Sequence, residues 1–133
     1  MVSLVVDRDS VCMADDINPH AMQINLPTGA TLADAMSAID AARFLDSVRQ
    51  FIFIVRDGEH GRPLALMRSR YLRYVADPAQ CLADQSVLHF EYHLQDDLTA
   101  LWEALRSPDQ VPVDHIFSED LAPSRPISDA RPP

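Results

Sequence analysis

The feature that most constrains the fold is a continuous apolar run at residues 51–55, which reads Phe-Ile-Phe-Ile-Val. Aromatic and β-branched residues favour extended backbone, and a run without polar interruption is typical of a strand covered on both faces. Asp57 and Gly58 follow it, and an aspartate before a glycine favours the positive φ of a tight hairpin turn. Residues 63–67 are therefore predicted to return as the partner strand.

Further strands and two helices are predicted on either side of this hairpin. Residues 21–26 alternate large apolar with smaller or polar side chains, the period-two pattern of a sheet with one buried face. Shorter β-prone pieces lie at residues 3–6 and 10–13. Residues 71–75 either extend the strand at 63–67 or form a strand of their own, and a last strand is expected at residues 87–94. One helix is predicted to start at the N-cap Thr31, because Asp34 follows three residues later. The second is predicted over residues 96–105.

The predicted fold class is α+β. It has a mixed, largely antiparallel sheet of about five strands, one helix packed on a face, and a second C-terminal helix near an edge or on the same face. Residues 1–106 are predicted to form a single domain. Six prolines interrupt the sequence beyond Arg106, so residues 107–133 are predicted to be a proline-rich C-terminal tail, partly packed on the body or mobile.

The charge of the chain favours a basic protein partner. The formal net charge is -9, all eleven cationic side chains are arginine, and residues 77–105 contain six acids and no arginine. Such a surface repels nucleic-acid phosphates and anionic lipid heads, so neither nucleic acid nor a membrane is expected as a partner. Opposite charge would speed the encounter with a basic partner and help to select it.

No sequence motif identifies a reaction or a cofactor. The chain has only three glycines and no glycine-rich phosphate loop, and no nucleophile signature surrounds Cys12 or Cys81. The two cysteines suit reduced, buried thiols. The N-terminus lacks the pattern of a secretory signal, and the run at residues 51–55 is too short to cross a bilayer. The chain is therefore predicted to be a cytoplasmic, non-enzymatic protein that needs no cofactor.

One local pattern offers metal chemistry as an alternative. On a strand, His89, Glu91 and His93 project from one face, while Phe90 and Tyr92 project from the other. Two imidazoles and a carboxylate are ligand types of a metal site. The same alternation is also what a half-buried strand shows when its polar face meets water.

Candidate partner-binding residues follow from charge and expected exposure. The five arginines between residues 51 and 76 either mark an anion site or pair with the chain's own carboxylates. A basic partner would meet surplus carboxylates, and an arginine and a tyrosine would act as anchors. The residues predicted for this role are Asp15, Asp16, Arg70, Tyr71, Glu91, Asp96 and Asp97.

Two stretches carry resemblances to known families. Residues 24–35, which read Ile-Asn-Leu-Pro-Thr-Gly-Ala-Thr-Leu-Ala-Asp-Ala, resemble the second strand and helix start of ubiquitin-like β-grasp domains. Residues 5–16, followed by Pro19 and His20, resemble small acidic bacterial proteins of polymorphic toxin loci. The second resemblance implies an immunity protein that blocks a nuclease-type or deaminase-type toxin domain by direct binding. A structural or adaptor module of a bacterial assembly, forming a homodimer through an open sheet edge, is a further alternative.

Overall fold

The computed structural model describes residues 1–10, 21–46, 48, 50–93 and 97–117. Within these ranges the chain forms an α+β fold with one sheet and two helices. The strands are β1 Val2–Arg8, β2 Met22–Leu26, β3 Ile52–Asp57, β4 Pro63–Arg68, β5 Tyr71–Tyr74, β6 Ser86–His93 and β7 Val113–Ile116. The helices are α1 Leu32–Ala41 and α2 Leu98–Leu105. None of the helices in these ranges is long and apolar enough to cross a membrane.

The sheet has the order β2-β1-β6-β3-β4-β5-β7. Strand β1 pairs with β6 in parallel, and the other described pairs are antiparallel. The prediction of a mixed, largely antiparallel sheet is therefore confirmed. The predicted strand number was too low, since the described residues alone form seven strands where about five were expected. Ser69, at φ 56°, turns the chain between β4 and β5, so residues 71–74 pair back on β4 as a strand of their own.

Helix α1 covers one face of the sheet and forms the main core. Its N-terminus is a capping box, in which Thr31 Oγ1 accepts from Asp34 N–H and the Asp34 carboxylate accepts from Thr31 N–H. This reciprocal pairing satisfies two N–H groups that the first turn leaves without helical partners. The buried stripe of α1 packs with apolar side chains of the central strands, among them Phe53 and Phe90, whose ring centroids are 6.1 Å apart. The predicted start and apolar stripe of this helix are confirmed.

Helix α2 lies on the opposite face, which corrects the prediction that it lies near an edge or on the face of α1. Leu101 and Trp102 of α2 pack with Ile52 and Ile54, whereas the intervening Phe53 belongs to the α1 core. Because neighbouring strand residues point to opposite faces, the two helices sandwich β3. The prediction that residues 51–55 are covered on both faces is confirmed. Helical periodicity identifies the apolar side of a helix but carries no information about which sheet face that side meets.

Strand β7 lies in the segment that the sequence analysis assigned to the tail. It pairs with β5, and Phe117 directly after it is buried in the α1 core. The sheet therefore includes residues beyond 106. The prolines beyond Arg106 indicated a tail. Pro108 and Pro112 precede this strand, however, and no proline falls within it. Residues 118–133, which hold the remaining four prolines, lie outside the described residues.

Candidate functional site

A polar concavity of about 380 Å³ opens on the sheet face opposite α1. Strands β3 and β6 lie at its centre, the segment after β1 borders one side, and the β3–β4 turn borders the other. Helix α2 covers the neighbouring part of this face over β3 and β4. The side chains that line the concavity are Asp9, Arg56, Glu59, His60, His89 and Glu91.

His89 is the buried member of this group, with 5% of its surface exposed. Its Nε2 lies 2.8 Å from Asp9 Oδ1, and its Nδ1 lies 3.7 Å from Asp7 Oδ2. The second oxygen of Asp9 accepts a hydrogen bond of 3.0 Å from the backbone N–H of Tyr92. Both ring nitrogens of His89 therefore face carboxylates, and Asp9 ties the end of β1 to β6.

Arg56 and Glu91 form the central ion pair of the concavity. The two residues sit on neighbouring strands, β3 and β6, and Arg56 Nε donates to Glu91 Oε1. Arg56 Nη1 also donates to the carbonyl of Gly61 at 3.1 Å, while Glu91 Oε2 lies 3.3 Å from His93 Nε2. The guanidinium is thus held between a strand and a turn, and it neutralises one of the carboxylates on this face.

The β3–β4 turn places Glu59 and His60 at the border of the concavity. Gly58 has φ +83°, a conformation that glycine adopts without steric cost, and its N–H donates to the carbonyl of Val87 at 2.8 Å. At Gly61 an added Cβ would lie 1.6 Å from the carbonyl oxygen of Asp57, so only glycine fits this backbone. The predicted hairpin turn after Asp57 is confirmed, and its geometry depends on these two glycines.

The three candidate metal ligands share a sheet face, but the structure does not bring all three together. His89 contacts Asp9, whereas Glu91 contacts Arg56 and lies beside His93. Across the parts of the chain that the structure describes, no group of three histidine, cysteine, aspartate or glutamate side chains is arranged to hold a metal ion. The alternation predicted for this strand is confirmed, because Phe90 belongs to the α1 core and His89 lies on the opposite face.

The candidate partner-binding residues do not form one cluster. Glu91 lines the concavity, and Asp97 is the N-cap of α2, where its side chain accepts from Ala100 N–H at 2.7 Å. The cap explains why an aspartate stands at that position. The predicted sites at Asp15, Asp16 and Asp96 lie outside the described residues.

Arg70 and Tyr71 lie away from the concavity, at the β5–β7 end of the sheet. Strand β5 is three strand spacings from β6, a distance of roughly 14 Å. Arg70 Nη1 is 3.9 Å from Asp40 Oδ1, and Tyr71 donates from its hydroxyl to Asp114 Oδ2 at 2.8 Å. Both residues therefore contact carboxylates of their own chain.

Asp114 also accepts two hydrogen bonds from Arg73, from Nε at 2.7 Å and from Nη2 at 3.0 Å. These bonds are the main reason that the pKa of Asp114 lies below its usual value. Burial, followed by the hydrogen bond to Asp114, raises the pKa of Tyr71. The guanidinium of Arg73 stacks over Trp102 at 5.1 Å from the ring centroid, which joins β5, β7 and α2 in one cluster.

Pairing within the chain accounts for most of the arginine-rich segment. Four of its five arginines lie within ion-pair distance of a carboxylate, namely Arg56, Arg62, Arg70 and Arg73. This is the second of the two alternatives that the sequence left open. The sequence-based candidates did not include Asp9, Glu59 and His60, which line the concavity. The Asp-Gly turn could have indicated the last two, but the approach of Asp9 depends on the parallel pairing of β1 with β6, which leaves no local pattern.

Comparison of the chain with protein-family models, with curated proteins and with solved structures found no match. The resemblances to β-grasp domains and to immunity-type proteins therefore stay predictions. The concavity and its ion pairs are the evidence on which a function can be proposed.

Proposed function

We propose that this chain is a non-enzymatic acidic protein that binds a basic protein partner, and that the concavity receives a cationic side chain of that partner. The observation that carries the proposal is the charge of the lining. Among the described residues, the lining holds the carboxylates of Asp9, Glu59 and Glu91 and one guanidinium, that of Arg56. An arginine or lysine entering this space would meet carboxylate oxygens in a partly desolvated setting, where charge-assisted hydrogen bonds are strong.

Glu59 is the carboxylate best placed to meet a partner. Arg56 already engages Glu91, and Asp9 is held by His89 and by the N–H of Tyr92. Glu59 is exposed in the turn, and no arginine of the described ranges lies within ion-pair distance of it. Its charge is therefore available to an incoming cation without disruption of an existing pair.

The lining also favours binding over catalysis. Among the described residues that line it there is no serine, threonine or cysteine that would serve as a nucleophile. His89, the natural candidate for a general base, has both ring nitrogens turned toward carboxylates. A general base must reach the proton that it abstracts, and both ring nitrogens of His89 already have a carboxylate as neighbour.

A toxin domain is the partner class that the sequence resemblance implies. An acidic immunity protein would insert carboxylates where a nuclease-type or deaminase-type domain concentrates positive charge. The partner would then be identified by low-salt affinity purification from the native cell, followed by an assay of its nuclease or deaminase activity with and without this chain.

The charge proposal is tested directly with a hexa-arginine peptide, measured by fluorescence polarisation against the full chain. We expect binding that weakens steeply as ionic strength rises, because screening shortens the reach of the field. Replacing Glu59→Gln should weaken binding by roughly tenfold, as expected for a lost hydrogen bond to a charged group.

The matched control is Asp109→Asn, which removes one carboxylate from the loop between α2 and β7 and leaves the concavity intact. It should change the affinity for the peptide less than twofold. Equal weakening by Glu59→Gln and Asp109→Asn would show that only net charge matters. Failure of the unmodified chain to bind the peptide at low ionic strength would also overturn the proposal.

A further inference from the structure

The β7 end of the sheet carries a concentration of exposed apolar side chains. Of the six large hydrophobic residues that are exposed among the described residues, three fall within six positions, namely Val111, Val113 and Ile116. Ile116 is 72% exposed and Val113 is 47% exposed. An exposed apolar edge strand is a template for pairing with another strand.

Strand β7 is held firmly in the sheet. Asp114 is fixed by Arg73 and Tyr71, and Phe117 directly after the strand is buried in the core. The backbone of β7 is therefore presented in a fixed, extended conformation. A preorganised edge loses little conformational entropy when a second strand adds to it.

The pairing of β7 with β5 determines which backbone groups face outward. Phe117 N–H donates to the carbonyl of Arg70 at 2.9 Å, so these two residues form a hydrogen-bonded pair. Such pairs alternate along an antiparallel ladder, which places the N–H and C=O of Val113 and His115 toward β5. The N–H and C=O of Asp114 and Ile116 therefore point away from the sheet.

The charge of this edge favours a second copy of the chain as the occupant. Two chains of net charge -9 repel each other over most of their surfaces. Between residues 112 and 117 the only carboxylate is Asp114, and Arg73 neutralises it with two hydrogen bonds. A basic partner would gain little electrostatic attraction at such an edge. A second copy, in contrast, can approach here without bringing like charges together.

We propose that the chain forms a two-fold symmetric dimer in which β7 pairs antiparallel with β7 of a second copy, making one continuous sheet. This inference is independent of the partner proposed for the concavity. In the register that pairs Asp114 with Ile116 of the second copy, the outward N–H and C=O groups of the two strands hydrogen-bond to each other. The two Asp114 side chains are then not opposite each other. In that register the two-fold axis passes between the two copies of His115.

Sedimentation velocity of the full chain over a range of micromolar concentrations tests the dimer, and two variants test its register. Ile116→Glu places a carboxylate opposite Asp114 of the second copy and should give a monomer. Ile116→Lys places a cation there and should remain a dimer. Val87→Lys, on an exposed residue remote from β7, should also remain a dimer.

A cross-link provides a second measurement that does not depend on dimer affinity. With Cys12 and Cys81 replaced by serine, His115→Cys should form an intermolecular disulfide on mild oxidation, because residue 115 faces itself across the axis. Val113→Cys faces Phe117 of the second copy in the same register and should cross-link far more slowly. A monomeric unmodified chain at all concentrations would overturn the dimer, and so would equal cross-linking at the two positions. Dissociation by Ile116→Lys as complete as that by Ile116→Glu would overturn the register.

Discussion

Asp9 and His89 are 80 positions apart in the sequence, yet Asp9 Oδ1 lies 2.8 Å from His89 Nε2. The contact exists because β1 runs parallel to β6, which brings the residue after β1 beside the middle of β6. The other oxygen of Asp9 accepts from Tyr92 N–H, so one carboxylate closes the concavity and fixes two strands.

Replacing Asp9→Ala should lower the free energy of unfolding by about 1–3 kcal/mol, because buried His89 and the Tyr92 N–H both lose their acceptor. Asp7→Ala is the matched control, since Asp7 is about as exposed as Asp9 but lies 3.7 Å from His89, beyond hydrogen-bond distance. It should cost less than about 1 kcal/mol. Urea unfolding of the two variants measures the difference, and equal losses would show that the Asp9 contact contributes nothing specific.

Substitutions at the two turn glycines should have unequal costs. Gly61→Ala forces a Cβ against the Asp57 carbonyl and should cost at least about 1–3 kcal/mol, because the backbone must move. The Cβ added by Gly58→Ala has no atom within 4 Å. Its cost is only that of placing alanine in the left-handed backbone region, about 1–2 kcal/mol.

Gly58→Asn should be tolerated better than Gly58→Ala, because asparagine enters the left-handed region more readily. Thermal unfolding of the three variants ranks them. If Gly61→Ala proved the mildest of the three, the turn geometry described for residues 57–61 would be incorrect.

The Arg73–Asp114 pair should make stability depend on pH in the acid range. Because the pKa of Asp114 is lower in the folded chain than its ordinary value of 3.8, its contribution is fully present above that value. It is lost as the pH falls from there through the folded pKa. Since the pair is partly exposed, its contribution should stay under about 1 kcal/mol.

Asp114→Asn should therefore be less stable than the unmodified chain at neutral pH, and the difference should shrink as the pH falls below 3.8. Arg73→Gln removes the hydrogen bonds that lower the pKa of Asp114. It should therefore reduce the dependence of stability on pH below 3.8 to a similar degree. Urea unfolding as a function of pH measures both. A difference that grows with acidification would contradict the assigned direction of the shift.

Substitutions at Asp97 test whether it stabilises the chain as the N-cap of α2. Asp97→Ala should lower the free energy of unfolding by about 1 kcal/mol. Asp97→Asn keeps a capping oxygen for Ala100 N–H and should lower it by only a few tenths of that amount. Neither change should alter binding of the hexa-arginine peptide to the concavity by more than twofold. Equal destabilisation by alanine and asparagine would indicate that the charge of Asp97, and not its cap, is what stabilises the chain.

Local patterns in the sequence determined the elements of this protein. The capping box at Thr31, the apolar run at residues 51–55 and the Asp-Gly turn each depend on neighbours within a few positions, so their effect on the backbone can be predicted directly. Strand β7 was not predicted because all four of its residues are exposed, so buried and exposed positions do not alternate along it. The face on which α2 packs also escaped, because periodicity describes only one partner of that contact.

The tertiary structure alone decided the site. Asp9, Arg56, Glu59 and His89 come from three separate segments of the chain, and they meet because β6 lies between β1 and β3 in the sheet. Strand order follows from how the whole core packs, and no local pattern encodes it. The sequence therefore determined the surplus of carboxylates, while long-range strand pairing decided which of them surround a common space.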